Sequence, residues 1–116
     1  MQSISKVTVT RMLSKARVGR RGGQYVLYLD RSGSELLMQY VSRRARIHLN
    51  VGGTVLGING TLSLDKSFRP PRIAIFLPKA LNPTWQRLYD REFAVVIEVE
   101  EGNEVGKEEQ VGVVRP

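Results

Sequence analysis

The sequence has no cysteine and only one histidine, His48, among 116 residues. The first absence excludes disulfides, thiolate metal sites and a cysteine nucleophile. The second excludes a multi-histidine metal centre. No apolar run approaches the roughly 20 residues that a membrane helix needs. The opening MQSISKVTVT has no apolar core of the kind a secretory signal requires. The expectation is a soluble intracellular protein with no membrane partner. Glycine-rich GRRGG (residues 19–23) lacks the spacing and the Lys-Ser/Thr of a phosphate loop. No other catalytic constellation is visible, so the expectation is a non-enzyme without cofactor or metal.

What is present is positive charge. There are 18 Lys+Arg against 11 Asp+Glu, a formal net charge of +7. Residues 1–50 hold ten basic and two acidic side chains, a net of +8, whereas residues 51–116 hold eight and nine, a net of −1. The densest basic stretches are residues 15–21 (KARVGRR) and 43–46 (RRAR), and acid gathers after Glu98. Clustering of this kind points to a basic binding face and an acidic tail. Eight of the ten cations in the first half are arginines, whose planar fork of donors matches phosphate in two-pronged contacts. The candidate phosphate-contacting residues are therefore Lys15, Arg17, Arg20, Arg21, Arg43, Arg44 and Arg46.

Apolar periodicity marks the elements. Residues 6–10 (KVTVT) alternate as a strand, with Ala16 and Val18 a weaker continuation. Residues 25–29 (YVLYL) form a short buried strand. Ser32 and Glu35 fit a capping box, which starts a helix over residues 35–41 with Leu36, Leu37, Tyr40 and Val41 on one face. Ile47, Leu49 and Val51 alternate as a strand ending at Gly52-Gly53. Asn59-Gly60 reads as a hairpin turn between strands 55–58 and 61–64. Residues 68–71 are irregular, and 73–77 (IAIFL) form another buried strand. Asn82-Pro83 predicts a helix start with Asn82 as N-cap, followed by an apolar face of Trp85, Leu88 and Tyr89. Val95, Ile97 and Val99 give the last strand, and residues 111–114 offer a possible edge strand. His48 falls on the face opposite Ile47 and Leu49, as a surface or pairing residue. Trp85, Tyr25, Tyr28 and Tyr40 sit at core spacing.

A shift of 48 residues superposes Tyr25 on Ile73, Leu29 on Leu77, Tyr40 on Leu88, Ile47 on Val95 and Leu49 on Ile97. Strand, turn, helix and strand coincide without a gap over residues 25–51. One β-α-β copy cannot cover its own apolar face; two can close into one barrel-like core without exposed edges. The expected architecture is mainly β with two short helices, built from two β-α-β repeats (about 6–53 and 54–101) in one domain (1–101). Residues 102–116 form the acidic tail.

The stretch 72–99, and within it Ile75-Phe76-Leu77-Pro78-Lys79-Ala80-Leu81, resembles the AbrB/SpoVT family of swapped-hairpin DNA-binding domains. The resemblance implies a cradle-loop barrel, assembled here within one chain as a pseudo-dimer or as a homodimer. It also implies contact with duplex DNA through basic residues near the hairpin. Those map onto Lys15, Arg17, Arg20 and Arg21 in the first copy and onto Lys66, Arg69 and Arg72 in the second, with Lys79 beside them. The chain departs from the family pattern: Asp30 stands where the second copy has Pro78, and Arg91-Glu92-Phe93-Ala94 replaces the usual Gly-Asp. Gly22-Gly23 and the stretch Gly60-Thr61-Leu62-Ser63-Leu64 also look like segments of archaeal CTP-dependent riboflavin kinases, with Ser63 in place of an asparagine.

These readings lead to a nucleic-acid-binding protein, a DNA-binding transcriptional regulator or chromatin-like factor in a cytoplasmic, nucleoid-associated setting. RNA or ribosome binding, a protein-interaction module and a riboflavin-kinase-like enzyme remain as alternatives.

Overall fold

The computed structural model describes residues 8–100. The possible strand at residues 111–114 and the acidic tail therefore lie outside the described residues. The elements in chain order are strand β1 (Val9–Arg21), β2 (Gln24–Leu29), helix α1 (Arg31–Leu37), β3 (Arg44–Val51), β4 (Thr54–Thr61), β5 (Ser63–Asp65), β6 (Arg72–Phe76), helix α2 (Asn82–Leu88) and β7 (Glu92–Glu100). A single 3-10 turn extends α1, and another precedes α2.

All strand ladders are antiparallel, in the order β4-β3-β7-β1-β2-β6-β5. The two outer strands, β4 and β5, are consecutive in the chain and separated by Leu62 alone. One stretch of backbone therefore borders both ends of this curved sheet, and the elements follow one another as two β-α-β copies. Leu27, Ile47, Leu49, Ile73, Ile75, Trp85 and Ile97 are among the side chains with no exposed surface in its core.

The register carries a pseudo-twofold. Leu27 pairs with Ile75 and His48 pairs with Val96; in each case the partner is the residue's own counterpart 48 positions on. Leu49 with Val95 mirrors Ile47 with Ile97. The first strand obeys a different shift. Counterparts of β1 lie 44 residues on, so that Val18 corresponds to Leu62. The backbone agrees: Ser42 N donates to Leu62 O at 2.7 Å, and Asp90 N donates to Val18 O at 2.8 Å. Ser42 and Asp90 are also the two non-glycine residues with positive φ among the described residues, 80° and 62°. The four-residue difference sits in the connection before β6, where residues 66–71 stand against the two-residue turn 22–23.

Several local expectations are corrected. Asn59-Gly60 does not turn. Both lie inside β4, opposite Arg46 and Ala45, and the β3–β4 hairpin turns at Gly52-Gly53 instead. Those glycines adopt φ of 57° and 84°, which glycine reaches without steric cost. The weak alternation at residues 16 and 18 belongs to one 13-residue strand. Asp30, not Ser32, caps α1: its Oδ1 accepts from Gly33 N at 2.8 Å. The helix starts earlier and ends at Leu37, which leaves Leu36 58% exposed rather than on the buried face. Asn82 is the first residue of α2 and makes no capping bond; its Oδ1 is buried without a partner. Trp85 and Leu88 are buried as expected, whereas Tyr89 is half exposed.

Candidate nucleic-acid interface

In β1 the even residues from 10 to 18 turn into the barrel. Val9, Arg11, Leu13, Lys15 and Arg17 turn out. In β3 the outward residues are Arg44, Arg46, His48 and Asn50. Strand β7 lies between them and is paired to both. The outer wall β3-β7-β1 therefore carries aligned rows. Arg46 and Arg11 flank Glu98; His48 and Leu13 flank Val96; Asn50 and Lys15 flank Ala94; Arg17 faces Glu92. Lys15 and Arg17 thus share a face with Arg44 and Arg46. Flanking strands of such a wall lie about 10 Å apart, and the six residues from the Arg11 row to Arg17 span about 20 Å.

Arg44 and Arg46 are held by their β4 neighbours. Arg44 Nη1 donates to Thr61 Oγ1 and Arg46 Nη1 to Asn59 Oδ1, each at 3.3 Å. Arg43 donates to the backbone carbonyl of Glu100. With Ser42 and Glu98 these arginines line an open groove of about 620 Å³. Arg17 Nη1 donates to the Asp90 carbonyl at 2.7 Å, and its carboxylate lies at 3.5 Å.

Carboxylates also stand among these cations, and Glu98 is the one shared by two partners. Arg11 Nε donates to Glu98 Oε2 at 2.7 Å, and His48 Nε2 lies 3.1 Å from Oε1. Hydrogen bonds first from His48 and then from Arg11 hold the Glu98 carboxyl below its usual range. His48 is accordingly a half-buried pairing residue.

The remaining candidates lie elsewhere. The Arg20 guanidinium sits over the Tyr25 ring, 5.0 Å from its centroid. Arg21 reaches the buried Asp65, Nη1 to Oδ2 at 3.3 Å. Lys66 and Arg69 are exposed in the 66–71 connection, Lys79 is exposed beyond Pro78, and Arg72 covers Phe68 at 5.0 Å. The fold thus gathers four of the seven first-half candidates on the wall, sets Arg43 at its groove, engages Arg20 with Tyr25 within the hairpin and ties Arg21 to Asp65 on β5. Arg11 completes the wall and was missed because it stands outside the dense clusters. Its parity with Lys15 and Arg17 on one strand is the signal that identifies it.

No cluster of three or more His, Cys, Asp or Glu suited to a metal occurs among the described residues. Nor is any helix among them long and apolar enough to cross a membrane. Comparison with known protein families, with curated proteins and with solved structures finds no match to the chain.

Proposed function

We propose that the protein binds nucleic acid across the β3-β7-β1 wall, with duplex DNA as the partner, and acts as a DNA-binding regulator or chromatin-like factor. The observation that carries this reading is the row of Arg11, Lys15, Arg17, Arg44 and Arg46 turned outward from two strands that flank β7. Cations spread over about 20 Å match about six base pairs of duplex at 3.4 Å each. Arginine dominates the set, which suits phosphate recognition. Such contacts give affinity that depends on salt and little on sequence. The tandem barrel is the architecture expected from the AbrB/SpoVT resemblance, and that membership is part of the proposal.

A salt titration of duplex binding tests it. Five phosphate contacts would set the limiting slope of log affinity against log salt at about −4.5, and the four cations other than Arg11 correspond to about −3.6. Arg44→Glu with Arg46→Glu is expected to weaken binding more than about tenfold and to flatten the slope by about one for each phosphate no longer neutralised. No binding at low salt, or binding indifferent to these reversals, defeats the reading. Competition with structured RNA separates DNA from RNA as the partner.

A further inference from the structure

The pseudo-twofold produces two related clefts, and only one of them is equipped. The first, of about 360 Å³, is lined by Lys15, Arg17, Tyr28, Phe68, Arg72 and Tyr89, with the carboxylates of Asp30, Asp90 and Glu92 at its rim. Its counterpart, of about 320 Å³, presents Asn59 for Lys15, Thr61 for Arg17, Phe76 for Tyr28, Gln24 for Arg72 and Arg44 for Glu92, so that it keeps one ring and one cation. Nothing there replaces Phe68, because that residue rides on the four extra residues of the 66–71 connection. Features that the barrel needs for closure belong in both copies. Rings and cations that appear in only one copy are surplus to closure.

The equipped cleft has the parts of a nucleotide site. The Tyr28 ring lies against bare backbone: a Cβ on Gly19 would stand 2.9 Å from Tyr28 Cε2. Phe68 tilts against Tyr28 with centroids 5.1 Å apart. Tyr89, half exposed, supplies a third ring. Two of the three carboxylates are engaged, Asp30 as the α1 cap and Asp90 with Arg17. Lys15, Arg72 and Glu92 make no ion pair among the described residues. Aromatic faces stack any base, a carboxylate accepts from an exocyclic amine, and two cations meet a phosphate. The volume lies within the range of small-molecule sites. Lys15 and Arg17 also belong to the outer wall, so the cleft opens at the wall's end.

We propose that this cleft takes one unpaired nucleotide, its base against the Tyr28, Phe68 and Tyr89 rings and its phosphate beside Lys15 and Arg72. The inference rests on the nucleic-acid reading only for the source of that nucleotide, a strand end or gap. A free mononucleotide has the same chemistry.

The test compares a blunt duplex, the same duplex with a short overhang carrying 2-aminopurine, and the four free ribonucleoside monophosphates. The expected result is overhang binding at least about fivefold tighter than blunt binding, in line with one stacked base, with 2-aminopurine fluorescence quenched. Tyr89→Ala and Phe68→Ala should each remove both effects and leave blunt-duplex affinity unchanged; Tyr89→Ala is the milder change, because its ring is half exposed. Monophosphate binding that Tyr89→Ala abolishes, without any duplex binding, upholds the cleft and rejects the wall. Blunt and overhang duplexes bound equally, without quenching and without monophosphate binding, overturn the cleft and leave the wall standing.

Discussion

Gly60 on β4 lies so close to Ile75 on β6 that a Cβ at Gly60 would stand 2.5 Å from Ile75 Cγ2. The counterparts of this pair in the first copy are Ala16 and Leu27, by the 44- and 48-residue shifts. There the small residue has its Cβ, and its partner lacks the branched Cγ2. Gly60→Ala is therefore expected to cost about 1–3 kcal/mol, the usual penalty for overpacking a core. Ile75→Leu alone should cost less than about 1.5 kcal/mol. Together they recreate the first-copy pair and should recover about 1 kcal/mol or more of the summed loss in urea unfolding, since contacting residues couple. Additive losses would show that the two copies pack by different rules at this point.

The same pair explains what the sequence conceals. Apolar spacing sufficed for β2, β3, β6, β7 and the gapless repeat over residues 25–51, because each strand buries alternate residues against one core. Asn59-Gly60 misleads because local turn chemistry is identical whether glycine supplies a positive φ or merely room for a neighbour. Only the presence of Ile75 decides, and it is 15 residues away in the chain. The wall was half legible. The clusters 15–21 and 43–46 announce charge, but their split between wall and hairpin depends on where the parity of β1 gives out, near Gly19. Arg21 looks like its neighbours in sequence and yet faces a buried carboxylate. The equipped cleft is invisible in sequence, since it joins residues from β1, β2, β6, β7 and three connections.

The start of α1 offers a sharp contrast between two plausible caps. Asp30 Oδ1 accepts from Gly33 N at 2.8 Å, and the Ser14 hydroxyl lies 3.3 Å from the same oxygen. Asp30→Ala should cost about 0.5–2 kcal/mol, the range for a lost N-cap. Ser32→Ala, at an exposed site within the first turn, should change stability by less than about 0.5 kcal/mol. Thermal unfolding of both variants checks this. Equal losses would restore Ser32 as a cap.

Asp65 gives the fold an acid-sensitive point. Its side chain is 3% exposed. Oδ1 accepts from the Ser67 hydroxyl at 2.6 Å and from the Ser67 amide at 2.9 Å. The Ser67 hydroxyl above all, then the Ser67 amide, Tyr28 and Arg21, hold the carboxyl below its usual range against the opposing effect of burial. A folded-state value below the unfolded one adds stability that is complete above about pH 4 and is lost as pH falls through the folded-state value. Asp65→Asn should therefore flatten the acid limb of the stability curve. At neutral pH it should cost about 1–3 kcal/mol, because Ser67 and Arg21 lose a charged acceptor. Urea midpoints between pH 2 and pH 7 measure both effects; an unchanged acid limb would move the sensitivity to another carboxylate.

Glu98 opposes the charge of the wall on which it sits. Its oxygens engage Arg11 and His48, and its register partner on β3 is Arg46. Incoming phosphate must compete with this carboxylate for the Arg11 guanidinium. Exposed ion pairs are weak, so Glu98→Gln is expected to tighten duplex binding up to about fivefold at low salt. The salt slope should also become steeper, as Arg11 is released to phosphate. Because His48 and Arg11 hold the carboxyl below its usual range, it stays ionised throughout the neutral range. Fluorescence anisotropy across a salt series reads both quantities. Weaker binding by Glu98→Gln would assign Glu98 the opposite part, that of orienting Arg11 towards the phosphate it contacts.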